Sequence, residues 1–254
     1  MKLQGVKFDL LNQNGEVLET ITTDENGEAL TSRYAIRDFE KLTLRETETL
    51  ENYVLNDTPQ TITLEADKIK NMTFENELKK GQIRVIKVDL DNNEVKLQGV
   101  KFNVYDEDKN LVDTLVTDEN GEAVSKRLRI DKDYIVQETE TLENYVLNEK
   151  PQTITLEQDQ IKDLTFENEL IKGYIKITKL SKEDNKYNGD KAGTKLANAE
   201  FEVFDAENNL VDTLVTDKNG EATTKELLKG KYTLKEKISP DYYILTDAVF
   251  GAEI

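Results

Sequence analysis

Lys87, Glu138 and Asn168 are an amine, a carboxylic acid and a carboxamide, and strand alternation turns each toward an apolar side. In "DLTFENEL" (163–170), Asn168 falls in line with Leu164, Phe166 and Leu170, opposite Asp163, Thr165, Glu167 and Glu169. In "QIRVIKV" (82–88), Lys87 shares a face with Ile83 and Val85, and in "YIVQE" Glu138 lies with Tyr134 and Val136. Any one of these alone reads as a residue at the rim of a core, its head group reaching water. Three of them in one apolar interior can instead satisfy each other, since an unpartnered buried polar group costs a few kcal/mol. They are also reagents. In a dry pocket the neutral amine is favoured over the ammonium, and a neutral lysine is a nucleophile. Desolvation likewise favours the un-ionised acid, which can polarise the amide carbon and hand a proton to departing ammonia. The product is a Lys-Asn isopeptide bond.

The elements that must position these groups recur along the chain. "LQGVKF" occurs at 3–8 and 97–102, "TDENGEA" at 23–29 and 117–123 with "TDKNGEA" at 216–222, "ETETLENYVLN" at 46–56 and 138–148, and "TFENEL" at 73–78 and 165–170. In the first copy Leu42, Leu44 and Glu46 match Tyr134, Val136 and Glu138, and Met72, Phe74 and Asn76 match Leu164, Phe166 and Asn168. The third copy supplies Ile175, Ile177 and Lys179 from "YIKITKL", then Tyr232, Leu234 and Glu236. A polar, Gly-containing insertion at 181–198 reads as a longer loop.

Each copy is a run of short alternating segments separated by turn chemistry, including "GVKFNVYD", "NLVDTLVT", "YIVQE", "YVL", "QTITL" and "LTFENEL". Asn26-Gly27, Asn120-Gly121 and Asn219-Gly220 are expected to supply the positive φ angles of tight hairpin turns. About seven short strands in about 90 residues predict an all-β, immunoglobulin-like sandwich per copy. The divisions expected are 1–79, lacking its first strand, 80–171, complete, and 172–254, lacking its last strand. Glu46 and Asn76 then have no first-strand lysine, and Lys179 and Glu236 have no asparagine. Glu48 and Glu140 share strand parity with Glu46 and Glu138 and compete for the catalytic role. Glu46 and Glu138 are preferred because the third copy keeps Glu236 at that spacing and has Ile238 at the rival one.

Composition excludes several functions. A net charge of −18 opposes binding to nucleic-acid phosphates. With no Cys and no His, disulfides, thiolate metal sites and Ser-His or Cys-His nucleophiles drop out. No apolar run is long enough for a membrane span, and MKLQGVKFDL lacks the regions of a signal peptide. "DLDNNE" (89–94) starts like a calcium loop but lacks Gly at its sixth position and has Val100 where the bidentate Glu belongs, so no metal and no cofactor is expected. Turnover catalysis is not expected either, because the buried set consumes itself in one event.

The run from "IRVIKVD" through "LQGVKFNVYD", "LVDTLVTDENGEA" and "YIVQETETLENYVL" to "LTFENEL" resembles the Cna protein B-type (SpaA, prealbumin-like) domain of Gram-positive surface adhesins and pilins. The resemblance covers essentially the whole chain and implies tandem prealbumin-like sandwiches in an elongated array. It implies that Lys87 on the first strand and Asn168 on the last are bonded, with Glu138 as catalyst. The family's "E-x-x-A-P-x-G-Y" survives as "EKISPDYY" (236–243), whereas the earlier copies read "ETETLENY" with Leu50 and Leu142 at the usual Pro. The implied role is an extracellular, cell-wall-associated stalk whose partners are neighbouring repeats. Its bond would be worth ~4 kcal/mol by loop-closure entropy. The alternative is an adhesin module that binds a host extracellular matrix protein or glycan, with Tyr242 and the 181–198 loop as the best-placed contacts.

Overall fold

A computed structural model describes residues 1–39 and 41–254. The first repeat holds β1 (Lys7–Leu11), β2 (Val17–Thr22), β3 (Lys41–Glu48) and β4 (Gln60–Thr63). The second holds β5 (Lys80–Asp89), β6 (Lys101–Asp106), β7 (Leu111–Val116), β8 (Glu122–Val124), β9 (Leu128–Arg129), β10 (Asp133–Glu140), β11 (Gln152–Thr155) and β12 (Ile161–Asn168). The third holds β13 (Lys172–Gly173), β14 (Lys176–Thr178), β15 (Glu200–Phe204), β16 (Leu210–Val215), β17 (Glu221–Thr223), β18 (Leu227–Leu228), β19 (Lys231–Ile238) and β20 (Val249–Glu253).

The chain is all-β, and the second repeat is a two-sheet sandwich. One sheet runs β11-β10-β6-β7; the other runs β12-β5-β8, with β9 also pairing β5. Alternate residues of both sheets meet between them: Ile83, Val85, Phe102, Val104, Tyr134, Val136 and Phe166 are all buried. Phe102 and Phe166 pack with ring centroids 4.9 Å apart. Full burial of such side chains contributes about 1.5–3 kcal/mol each, which fixes the register that keeps them inward. The sheet β2-β1-β3-β4 of the first repeat and β16-β15-β19-β20 of the third repeat the order of the second repeat's four-stranded sheet.

Two local expectations are corrected. The Asn-Gly pairs do not close hairpins: β7 and β8, which flank Asn120-Gly121, belong to different sheets, as do β16 and β17. Only the glycines take positive φ, 70° at Gly27, 69° at Gly121 and 68° at Gly220. The preceding Asn is held differently, its backbone N–H donating to the Asp118 carboxylate at 2.9 Å and, in the third repeat, to Asp217 at 2.8 Å. The segment "YVL" forms no strand, because Tyr145 makes an isolated bridge to Leu170 and Val146 reaches Glu169 by one backbone bond.

The first strand of the second repeat lies parallel to the last. β5 and β12 pair from Ile161↔Gln82 to Asn168↔Asp89, with Lys87 opposite Phe166. β5 is flanked on its other edge by β8, so its backbone is hydrogen-bonded on both sides. In the first repeat, 71–78 follows the course of β12 but pairs with no strand among the described residues.

Candidate functional site: a lysine, glutamate and asparagine cluster

The cluster follows from strand parity on three elements. β5 turns Ile83, Val85 and Lys87 inward, β10 turns Tyr134, Val136 and Glu138 inward, and β12 ends with Phe166 and Asn168 facing the same interior. Lys87 is 0% exposed, and Glu138 and Asn168 are each 1% exposed. Because Lys87 lies opposite Phe166, its long side chain reaches forward along the parallel pair to Asn168, the next inward residue.

The three head groups touch. Glu138 Oε2 lies 2.9 Å from Lys87 Nζ, and Glu138 Oε1 accepts a hydrogen bond from Asn168 Nδ2 at 2.6 Å. The second hydrogen of Nδ2 goes to Thr141 Oγ1 at 2.7 Å. Lys87 Nζ donates to Asn168 Oδ1. The carboxylate therefore bridges the amine and the amide nitrogen, and the amide's orientation is fixed by its own two donors. Burial pushes the Lys87 ammonium's pKa down, opposed by the adjacent Glu138 carboxylate.

A backbone irregularity separates Glu138 from its rival. In the β10–β6 pairing Glu138 faces Phe102 but Glu140 faces Lys101, a β-bulge that inserts one residue between them. Glu140 is thereby thrown outward, its side chain 63% exposed and 2.7 Å from Lys101. The same shift separates Glu46 from Glu48, which pairs with Lys7 at 2.7 Å, and Glu236 from Ile238.

Two further residues support the cluster, one named in the sequence only for its turn and one not named there. Gly121 presses against β5: its carbonyl accepts from Lys87 N at 2.7 Å, and a Cβ there would lie 2.5 Å from Lys87 O. Thr141 was the other. Its signal was present, since a hydroxyl follows each inward glutamate by three residues, as Thr49, Thr141 and Ser239.

The flanking repeats hold halves of the cluster. In the first, Asn76 Nδ2 donates to Glu46 Oε1 at 2.6 Å and to Val54 O at 2.9 Å, while Glu46 Oε2 and Thr49 Oγ1 are buried with no hydrogen-bond partner among the described residues. In the third, Lys179 Nζ lies 2.8 Å from Glu236 Oε1, and Thr246 N donates to Glu236 Oε2 at 3.2 Å. Asp89, at the head of the calcium-like stretch, is engaged by its own turn and by Tyr145: it accepts from Asp91 N at 2.8 Å, Asn92 N at 2.9 Å and Tyr145 OH at 2.9 Å. Among the described residues no group of three or more acidic side chains is placed to hold a metal ion. Tyr242 is exposed, and its carbonyl accepts from Asn185 of the 181–198 loop at 3.0 Å.

Comparison with known proteins places this architecture. The family model for the SpaA prealbumin-like fold domain matches residues 1–78, 81–170 and 173–254. The chain is 39% identical over 57 residues to the trypsin-resistant surface T6 protein of Streptococcus pyogenes, covering 22% of this chain and 11% of that protein. A solved structure, the Bacillus anthracis TIE protein, aligns with a TM-score of 0.75 and 27% identity over 100% of this chain and 46% of that one. BcpA, the major pilin subunit of Bacillus cereus, aligns at 17% identity and a TM-score of 0.38 over 99% of this chain and 91% of that one. The chain spans less than half the length of the first two relatives. With the family model matching three successive stretches, the chain belongs to the SpaA family of prealbumin-like fold domains and carries three of them in tandem.

Proposed function

We propose that the chain is a shaft segment of a Gram-positive surface protein, and that its second repeat locks itself by an autocatalytic amide bond between Lys87 and Asn168. The observation that supports this is Glu138, whose two oxygens lie 2.9 Å from the Lys87 amine and 2.6 Å from the Asn168 amide nitrogen. Proton transfer from Nζ to Oε2 gives a neutral amine beside a protonated acid, a pairing favoured by burial of Lys87. Nζ attacks Cγ of Asn168, and the amide oxygen takes up the carbonyl electron pair. The Cγ–Nδ2 bond then breaks as Glu138 relays a proton to Nδ2, which leaves as ammonia. Nζ loses its extra proton and the acid is regenerated, so four hydrogens on the two nitrogens become one on the new amide and three on ammonia. Glu138 acts as the acid–base and is unchanged at the end.

Names among the relatives point the same way: a streptococcal surface protein and a major pilin subunit. In this reading the 80–171 repeat is complete in its bonding residues, the 1–79 and 172–254 repeats each hold a half set, and the neighbouring repeats are the chain's partners at the cell surface. Among the described residues no helix is long and apolar enough to cross a membrane. Intact mass under denaturing conditions tests the bond. The expected result is a chain one ammonia lighter than its sequence, with peptides bearing Lys87 and Asn168 joined. Glu138→Gln, Glu138→Ala or Lys87→Ala should restore the full mass, and a wild-type chain at full mass would refute the bond.

A further inference from the structure

Asn-Gly pairs lie at 14–15, 26–27, 120–121, 188–189 and 219–220. In an unconstrained chain such a pair is chemically fragile, because glycine puts no side chain in the way of its own nitrogen reaching the asparagine Cγ. Three of the pairs sit in one kind of turn headed by an aspartate. Asp118 Oδ1 accepts from Asn120 N and from Glu122 N, both at 2.9 Å, and its carbonyl accepts from Gly121 N at 2.9 Å. Asp24 and Asp217 hold Asn26 and Asn219 in the same way. The pair at 14–15, at the tip of the β1–β2 hairpin, has the same turn with an asparagine at its head: Asn12 Oδ1 accepts from Asn14 N at 2.9 Å and Glu16 N at 3.0 Å, and its carbonyl accepts from Gly15 N at 3.0 Å.

The head residue and the packing separate these turns. An aspartate has a second oxygen for the asparagine amide: Asn219 Nδ2 donates to Asp217 Oδ2 at 3.2 Å, and Asn26 Nδ2 to Asp24 Oδ2 at 3.4 Å. Asn12 carries Nδ2 in that place, donating to Glu16 Oε2 at 2.7 Å, so the Asn14 amide has no hydrogen-bond partner among the described residues. Gly121 and Gly220 are buried, their carbonyls accepting from Lys87 N and Lys179 N at 2.7 Å each, and a Cβ on Gly27 would lie 3.0 Å from Leu3 N. Gly15 is exposed, and nothing lies within 4 Å of where its Cβ would be. Gly189 is equally open, but Asn188 is clasped by Asp190, donating from Nδ2 to Oδ2 at 2.7 Å and accepting at Oδ1 from Asp190 N at 3.1 Å. Cyclisation needs the turn to open locally and the amide to swing round. At 14–15 neither packing nor an amide clasp resists this.

We propose that Asn14 is a site of spontaneous deamidation and isoaspartate formation, left open by Asn12, while the fold guards the other four pairs. The Gly15 nitrogen attacks Cγ of Asn14, the Cγ–Nδ2 bond breaks, and Nδ2 leaves as ammonia with the proton that Gly15 N gives up. Solvent water then opens the five-membered imide. Cleavage of its bond to Cγ leaves aspartate at 14, and cleavage of its bond to the main-chain carbonyl carbon leaves an isoaspartyl link. Either product adds one negative charge at the hairpin tip, and the second also lengthens the turn backbone by one carbon.

The test is incubation of the full chain in heavy-oxygen water at mildly alkaline pH, followed by fragment mapping that separates aspartyl from isoaspartyl peptides. Asn14 should take up label as two products, at least about tenfold faster than Asn26, Asn120, Asn188 or Asn219, the factor that about one net hydrogen bond supplies. In denaturant the five rates should converge. Asn12→Asp, which restores the missing oxygen, should slow Asn14 by at least about twofold, the low end of the same scale. Equal rates in the folded chain, or another pair reacting first, would overturn the proposal. A preference for Asn14 that persists in denaturant would also overturn it, since local sequence and not the fold would then select the site. An unchanged rate in Asn12→Asp would overturn the part given to Asn12. The readout is separate from the Lys87–Asn168 bond, because this loss of ammonia is followed by uptake of water and maps to a different peptide.

Discussion

Asn168 has both amide hydrogens committed, to Glu138 and to Thr141, so its oxygen is turned to Lys87 and its carbon cannot be presented any other way. Residue type and alternation alone reached Lys87, Glu138 and Asn168, because inward parity is a local property. They did not separate Glu138 from Glu140, because parity fails across a bulge and the bulge is a property of two strands. Next to the cluster, Tyr145 donates to Asp89, two residues beyond Lys87. Burial, and then the Asp89 carboxylate, push the Tyr145 phenol up from its ordinary value of 10.0 to about 12. The native state therefore holds this proton where the unfolded chain would release it. Its contribution to stability is complete below about pH 10 and is lost as the pH rises through about 12. Denaturant unfolding across this range should show stability falling, and Tyr145→Phe should flatten that part of the slope.

The strand β5 is the element on which the site depends, and it is held by neighbours that are far away in sequence. β12 lies along one edge and β8 along the other, while Gly121 brings the connection between the sheets against Lys87. The Asn-Gly signal was visible, but its use was not: a turn can join strands of one sheet or carry the chain between two, and only the packing decides. At Gly121 the φ of 69° disfavours any side chain, and a methyl would meet Lys87 O at 2.5 Å. Gly121→Ala should destabilise the second repeat by roughly 1–3 kcal/mol from backbone strain, and by more if β5 is displaced. The accompanying expectation is slower loss of ammonia during refolding, followed by mass spectrometry, since Lys87 would be moved from Glu138.

Across the whole molecule, the parallel pairing of first and last strands sets a load path. Tension entering at β5 and leaving at β12 would cross the proposed Lys87–Asn168 bond and bypass the sandwich between them. Single residues strap adjoining repeats: Lys79 N donates to Asn52 O at 2.8 Å and its carbonyl accepts from Ile130 N at 3.3 Å. Ile171 repeats this between the second and third, donating to Asn144 O at 2.8 Å and accepting from Lys229 N at 2.8 Å. Lys172–Asp91 at 2.7 Å adds a charge pair at that junction. If the proposed bond closes the 81-residue separation between Lys87 and Asn168, single-molecule pulling on the full chain gives no extension from it. Glu138→Gln should release roughly 280 Å of contour there, at about 3.3–3.6 Å per residue.

Repeats, turn residues and period-two alternation determined, without coordinates, that the chain is a tandem array of β-sandwiches and that Lys87, Glu138 and Asn168 face inward. These are local regularities, written in residues a few positions apart. Only the tertiary structure decided that β5 runs parallel to β12 with Asn168 one inward step beyond Lys87, that a bulge sends Glu140 to solvent, and that Glu46 Oε2 lies buried without a partner among the described residues. Register, pairing partner and burial arise between segments tens of residues apart, where the sequence of either segment alone holds no information about the other.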